Sequence, residues 1–125
     1  MLFINPALPL DGRFVSEVVE AMKTIAAGYR HTLFMTLNIE TATSLVAVIN
    51  LLFDRSAPDE VERAHTCSDA LLSYIHGKGL EVYRARIDMM DKIVASNPAH
   101  WKTVRELKQI LDPDNIIAPG RYNLP

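Results

Sequence analysis

One short stretch of the sequence concentrates the side chains that could do chemistry. The segment GLEVYRARIDMMDKI (79–93) carries the phenol of Tyr83, the guanidiniums of Arg84 and Arg86, and the carboxylate of Asp88. Tyrosine and arginine are hydrogen-bond donors, and arginine keeps its charge at every ordinary pH. The cluster therefore either holds a ligand or forms a solvated corner of the surface.

Backbone geometry limits how Tyr83 and Arg84 could act together. Neighbouring side chains of a regular strand point to opposite faces, so two adjacent residues within a strand cannot converge on one ligand. The sequence predicts a strand over Leu80–Arg84 and a helix from about Ile87. We therefore expect the strand to end at the Tyr-Arg pair, where a break in alternation would let the hydroxyl and the guanidinium reach one cavity.

Other kinds of chemistry have little support in the sequence. The four histidines include no pair spaced four apart, and His65 and Cys67 would lie on nearly opposite faces of one helix, which argues against a metal site. Cys67 is predicted to be a small core residue rather than a nucleophile. No Gly-x-Ser-x-Gly, Walker or Gly-x-Gly-x-x-Gly motif is present. Met89 and Met90 are interpreted as core fillers, and Trp101 as an anchor for its helix.

Composition and charge define a broad class. A chain of 125 residues with 49% hydrophobic and 22% charged residues is typical of one globular domain, which we place at 1–125. The net charge of −2 favours neither nucleic acid nor an anionic membrane as partner. A single cysteine, no evident signal peptide and no apolar run long enough to cross a bilayer predict a cytoplasmic protein.

The elements that must position the Tyr-Arg pair follow from hydrophobic periodicity. Apolar residues recur at every second position over Leu33–Ile39, which predicts a strand. They recur at helical spacing after Asp11, which is a predicted N-cap. The predicted strands are 2–5, 33–39, 44–53 and 80–84, with a hairpin at 40–43. The predicted helices are 11–28, 58–75, 87–95 and 98–111, followed by a tail rich in Pro, Asp and Asn. This order predicts an α+β fold: a ferredoxin-like β-α-β-β-α-β antiparallel sheet with helices on one face, followed by C-terminal helices and an irregular tail.

A family resemblance is carried by the same segment and by the tail. GLEVYRARIDMMDKI, followed after a helix by LKQILDPDNIIAPGR, resembles the C-terminal end of FAD-linked oxidoreductases of the vanillyl-alcohol oxidase and 4-cresol dehydrogenase type. The Asp-Pro-x-x-Ile-x-x-Pro-Gly tail is shared across the wider superfamily of FAD-linked oxidases. The Tyr-Arg pair at this distance before it is the narrower signal.

The resemblance implies roles for three residues. Tyr83 and Arg84 would bind a phenolic substrate as its phenolate, Arg84 would also contact the flavin, and Arg121 would lie near the cofactor. A phenol with a pKa of about 10 needs a fixed cation to ionise near neutral pH. The implied reaction is oxidation of a 4-alkylphenol-type substrate by hydride transfer to FAD. No residue is assigned a catalytic role.

The resemblance covers the last part of such an enzyme and not its FAD-binding domain. We therefore expect the chain to need an FAD-binding domain or subunit as partner, to be inactive alone, and to be a truncated form, a split subunit or a remnant. The alternative is a non-catalytic ferredoxin-like module that forms a homodimer through its sheet and binds a small molecule or protein. Tyr83 and Arg84 would then be surface or interface residues.

Overall fold

The computed structural model describes residues 1–122 and divides the chain into two compact units, Met1–Arg84 and Ala85–Pro125. In the first unit, two helices pack on an antiparallel sheet. Its elements are β1 (Leu2–Ile4), β2 (Ala7–Pro9), α1 (Gly12–Gly28), β3 (Leu33–Ile39), β4 (Ser44–Leu51) and α2 (Pro58–Gly77). The predicted α+β class is confirmed, while a single domain over 1–125 stays a prediction.

Strand β4 is the centre of the sheet, as its predicted burial requires. It pairs with β3 along one side, in a register that joins Leu33 to Leu51 and Ile39 to Leu45. Along its other side it pairs with β1 and then with β2, both antiparallel. The predicted hairpin between β3 and β4 is therefore present.

Pro6 explains why the predicted strand 2–5 ends as β1 (Leu2–Ile4) and why pairing resumes in β2 (Ala7–Pro9), a strand that the sequence did not predict. Its carbonyl accepts from the amide of Ala47 at 3.0 Å, but a proline has no N–H to donate to the ladder in return. Pairing with β4 is thereby interrupted between β1 and β2. The residues on either side of Pro6 instead hydrogen bond outward to the segment that contains Val82, which forms an isolated antiparallel bridge with Pro6.

The predicted strand Leu80–Arg84 is not a regular strand. Only Val82 makes a bridge, and the chain bends at Tyr83 and Arg84. The bridge still lies on the outer side of β1 and β2, where the fourth strand of a ferredoxin-like sheet is expected. Sequence alternation predicted the position of this element but overestimated its length.

Helices α1 and α2 begin and end where local signals predict. The carboxylate of Asp11 caps α1 by accepting from the amides of Arg13 and Phe14 at 2.9 and 3.0 Å. Pro58 opens α2, which continues two residues beyond the predicted end, to Gly77. Both helices bury apolar side chains against one face of the sheet, and the core consists of Leu2, Ile4, Leu8, Val15, Val18, Met22, Ala26, Leu45, Ala47, Ile49, Leu51, Ala64, Cys67, Leu71 and Ile75.

Cys67 belongs to this core, as the sequence indicated. Burial raises the pKa of its thiol to about 11, so the thiolate is scarce at neutral pH.

Across residues 1–122, no three His, Cys, Asp or Glu side chains come together as a metal-binding group. None of the helices formed by these residues is long and apolar enough to cross a membrane.

The second unit is helical. A 3₁₀ turn at Ile87–Met89 runs into α3 (Met90–Ser96), and α4 (Pro98–Leu111) follows. Met89 and Met90 are buried, as predicted, while Trp101 is half-buried and stacks on Tyr122 at 5.4 Å between ring centroids. The Tyr122 hydroxyl accepts from the amide of Ala85 at 2.9 Å, which ties the end of the described chain to the start of this unit.

Candidate functional site

The corner at Tyr83 and Arg84 is positioned by main-chain hydrogen bonds. The amide of Tyr83 donates to the carbonyl of Asn5 at 2.6 Å, and the amide of Ala7 donates to the carbonyl of Glu81 at 2.9 Å. These two bonds flank the bridge between Pro6 and Val82. The chain then leaves the sheet, which is the break in alternation that the Tyr-Arg pair requires to act together.

The two side chains at this corner are exposed and have open donors. Tyr83 is 66% exposed and Arg84 is also exposed. Within the described part of the chain, neither the Tyr83 hydroxyl nor the Arg84 guanidinium has a hydrogen-bond or ion-pair partner. One phenolic O–H and the guanidinium N–H groups are therefore available to a ligand at this corner. Their convergence on one cavity stays a prediction.

The other two members of the sequence cluster bind each other. Nε of Arg86 donates to Oδ1 of Asp88 at 3.0 Å, and Nη2 donates to Oδ2 at 2.8 Å. This paired geometry uses the planar fork of the guanidinium, which matches a carboxylate. Arg86 and Asp88 thus form a local ion pair in the second unit, whereas the Arg84 guanidinium has no such partner among residues 1–122.

Arg121, the third residue singled out by the sequence, lies in the second unit. Its amide donates to the carbonyl of Ala118 at 3.1 Å, which closes a turn near the end of the tail. The side chain is exposed and has no partner among residues 1–122. Its assignment to the cofactor stays a prediction. The end of the predicted tail, 123–125, lies outside the described residues.

Sequence reasoning missed a polar centre built on Asp112. The Asp112 carboxylate accepts from the amides of Ile116 and Ile117, both at 2.9 Å, and forms an ion pair with the ammonium of Lys108. The same ammonium donates to the carbonyl of Ile117 at 2.9 Å. The hydrogen bond from Lys108, followed by the two backbone bonds, lowers the pKa of the buried Asp112 below its usual range. The Asp-Pro pair of the tail motif is the sequence signal that could have indicated this polar centre.

Comparison with known proteins identifies the class and then the family. The fold recurs in solved structures of other proteins. The crystal structure of p-cresol methylhydroxylase with substrate bound superposes with a TM-score of 0.88 at 27% identity, over 98% of this chain. Residues 10–122 match the family of FAD linked oxidases, C-terminal domain. Because this match spans most of the chain, the chain belongs to that family.

Individual relatives agree with the vanillyl-alcohol oxidase and cresol dehydrogenase branch that the sequence indicated. The 4-cresol dehydrogenase [hydroxylating] flavoprotein subunit of Pseudomonas putida is 39% identical over 78 residues, which is 62% of this chain and 15% of that protein. The 1'-carboxy-chondrochloren decarboxylase of Chondromyces crocatus is 28% identical over 122 residues, 98% of this chain and 23% of that protein. The 4-ethylphenol oxidase of Gulosibacter chungangensis shares the fold with a TM-score of 0.87 at 18% identity.

FAD is the cofactor of this family, and the donor set at the corner fits part of it. The chain spans about a quarter of p-cresol methylhydroxylase and of the decarboxylase. A guanidinium with open N–H groups suits an electron-rich carbonyl edge or an anionic oxygen, and Arg84 is such a group. The sequence contains no glycine-rich phosphate loop.

Proposed function

We propose that this chain is the substrate-binding C-terminal part of an FAD-dependent oxidoreductase that oxidises 4-alkylphenol-type substrates. The observation that carries the proposal is the corner at Tyr83 and Arg84, where an open hydroxyl and an open guanidinium follow one another at the end of the sheet bridge. The family and the phenolic names of two relatives support the substrate class. Because one relative is a decarboxylase, family membership alone does not determine which reaction is catalysed.

The proposed roles follow from charge and hydrogen bonding. Arg84 would hold the phenolic oxygen as phenolate, because a fixed cation lowers the pKa of a nearby acid. The Tyr83 hydroxyl would donate a second hydrogen bond to the same oxygen. Ionisation supplies electron density that favours loss of hydride from the alkyl group, and FAD supplies the hydride acceptor when it is bound. Arg84 and Arg121 would also contact the cofactor.

An FAD-binding domain or subunit is the partner that this function requires, and we place the assembled protein in the cytoplasm.

The competing proposal, a non-catalytic dimer formed through the sheet, has one observation in its favour. Strand β3 pairs with β4 alone among the described strands and exposes Phe34, Leu37 and Ile39. A homodimer is therefore the alternative that a test must address.

The test uses the chain reconstituted with an FAD-loaded partner and measures turnover of 4-methylphenol. Tyr83→Phe should lower kcat/KM by roughly 10- to 150-fold, equivalent to about 1.5–3 kcal/mol for one charge-assisted bond. Arg84→Lys should reduce it by more than the retained charge suggests, because an ammonium lacks the planar fork. Ultraviolet difference spectra should show that the bound phenol ionises at a higher pH in both variants.

Matched controls separate these roles from general effects of substitution. Tyr74→Phe removes a hydroxyl that has no hydrogen-bond partner among the described residues, and Arg13→Lys changes an exposed arginine near the start of α1. Both controls should retain the parent kcat/KM. Parent-like turnover and an unchanged pH profile in Tyr83→Phe and Arg84→Lys would refute the phenolate assignment, leaving these residues as a solvated corner.

A further inference from the structure

A cleft lies between α3 and the first half of α4 in the second unit. The two helices are joined by Asn97 alone, whose side-chain oxygen accepts from the amide of His100 at 3.2 Å and so caps α4. The cleft has a volume of about 390 Å³, which is within the range of small-molecule sites. Its lining residues, which we call the α3–α4 cleft, are Val94, Ala95, Pro98, Trp101, Lys102 and Arg105.

The lining changes from apolar to basic along α4. The lining residues of this helix occupy positions i, i+3, i+4 and i+7, which share one side of a helix, and they are Pro98, Trp101, Lys102 and Arg105. The first two are apolar and the last two are cationic. Val94 and Ala95, from the last turn of α3, complete a wall that is mainly apolar. The cleft therefore has an apolar end and a positively charged end.

Trp101 forms a fixed aromatic wall of the cleft. Its indole stacks on Tyr122 at 5.4 Å between ring centroids, and its ring meets that of His100 edge-on at 4.8 Å. Tyr122 is in turn bound to the amide of Ala85. A wall that is already ordered loses little conformational entropy when a ligand binds. An aromatic ligand can add a further stacked or edge-on contact to such a ring.

The charge at the basic end is available to a ligand. Arg105 is exposed, and its guanidinium has no hydrogen-bond or ion-pair partner among residues 1–122. The Lys102 ammonium lies 4.0 Å from a carboxylate oxygen of Glu106, at the outer limit of an ion pair, and both side chains are exposed. Such a pair is weak in water. A guanidinium binds a carboxylate through two parallel hydrogen bonds, so Arg105 is the stronger candidate to hold an anion.

We propose that the α3–α4 cleft binds a small aromatic carboxylate, with its ring against Trp101 and its carboxylate on Arg105. The inference does not rest on the proposed function. Arg105 follows Pro98 by seven residues, about 10 Å along the helix axis, and helical side chains lean back toward the N-terminus. A ring joined to a carboxylate by one or two carbons fits that span. The mainly apolar wall disfavours a strongly hydrated anion such as phosphate, because its charge would lose water without gaining enough partners.

The probe is phenylacetate, and the first measurement is the fluorescence of Trp101, the only tryptophan in the sequence. Titration of the unsubstituted chain should change this emission saturably. Phenylacetamide keeps the shape without the charge, and acetate keeps the charge without the ring. Each should bind at least about 10-fold more weakly than phenylacetate, since each loses one of the two contacts. Equal responses to phenylacetate and phenylacetamide, or no saturable response to phenylacetate, would overturn the inference.

Arginine variants test the anion contact directly. Arg105→Gln should weaken phenylacetate binding about 10-fold or more, and Arg105→Lys should recover only part of the loss because an ammonium lacks the planar fork. Arg13→Gln is the matched control, since Arg13 is also an exposed helical arginine whose side chain has no partner within the described residues. It makes the same change in net charge and should leave the affinity unchanged. Circular dichroism checks that the helices are intact, and parent-like affinity of Arg105→Gln would overturn the inference.

Equilibrium dialysis with radiolabelled phenylacetate separates this cleft from the corner at Tyr83 and Arg84. Binding that is lost in Arg84→Gln and retained in Arg105→Gln would place the carboxylate at the corner, and the inference would be wrong. Tighter binding of a peptide with adjacent Phe and Asp residues than of phenylacetate would also overturn it, because the surface would then be a peptide site.

The same dialysis is repeated on the assembled protein. The partner is the Pseudomonas putida 4-cresol dehydrogenase flavoprotein subunit without the segment that matches this chain, loaded with FAD. The complex should bind phenylacetate with the affinity of the chain alone and should lose it with Arg105→Gln. Loss of binding on assembly would mean that the partner covers the cleft, which refutes the inference. Failure to oxidise 4-methylphenol would refute the proposed function alone, since phenylacetate binding is measured without turnover.

Discussion

The Asp112 carboxylate holds the turn that follows α4, and this gives the stability of the chain a defined pH dependence. Its pKa in the folded chain is lowered, chiefly by the hydrogen bond from Lys108. A carboxylate with a lowered folded pKa stabilises the folded state fully above its unfolded value, about 3.9. That stabilisation is lost as the pH falls through the lower folded value. The stabilisation from Asp112 should therefore be constant near pH 7 and decline below about pH 4.

Asp112→Asn tests this directly. The amide retains the shape but not the charge that binds Lys108, so the variant should unfold at lower urea concentration than the parent at pH 7. It should also lose less stability than the parent between pH 5 and pH 2.5, since the titrating group is gone. Asp114→Asn is the control, because Asp114 is exposed and makes no hydrogen bond to the residues described. Identical pH curves for parent and Asp112→Asn would contradict the assignment.

Helix α1 is held to the sheet by its buried stripe, and Met22 is fully buried in the middle of it. Met22→Ala should lower the free energy of unfolding of the first unit by roughly 2–5 kcal/mol, through lost burial and the cavity that remains. Ser16→Ala, at an exposed position of the same helix, should change it by no more than about 0.5 kcal/mol. Urea denaturation followed by circular dichroism measures both. A change of under 1 kcal/mol for Met22→Ala would mean that α1 contributes little to this core.

Elements specified by nearby residues were predicted well, and elements that depend on a distant partner were not. Helix α1 follows from Asp11 and the apolar spacing after it, which are local signals. The length of the segment at Leu80–Arg84 depends on its pairing with Asn5–Ala7, far away in sequence, which forms one bridge. Alternation within 80–84 carries no information about that partner.

The candidate site also combines features that local sequence predicts with features that it does not. The adjacency of Tyr83 and Arg84 and their place at the end of the sheet could be predicted, because both follow from the strand–helix junction. The pairing of Arg86 with Asp88 could not, since composition alone gives a cluster of charges without saying which ones neutralise each other. The hydrogen bonds of Asp112 depend on a turn with left-handed residues at Asn115 and Ala118, which periodicity does not reveal.

At the scale of the whole molecule, the chain should bind FAD only with a partner. The chain purified alone should be colourless, because it has no glycine-rich loop to hold the pyrophosphate. Addition of the FAD-binding partner described above should give a complex that retains flavin through gel filtration. Flavin absorbance per mole of chain is the measurement. Stoichiometric flavin on the chain alone would contradict this expectation.

The hydrogen bonds around Pro6 also bear on how such a site can change over evolutionary time. The corner is anchored to Asn5 and Ala7 through backbone groups of Glu81 and Tyr83. Backbone groups are the same whatever side chains are attached, so mutations at 83 and 84 can exchange the groups presented to a ligand without altering the anchor. Substitutions at these positions that change the substrate would then reduce the stability of the fold only slightly. A library randomised at these two positions should yield mostly folded variants that differ in what they bind.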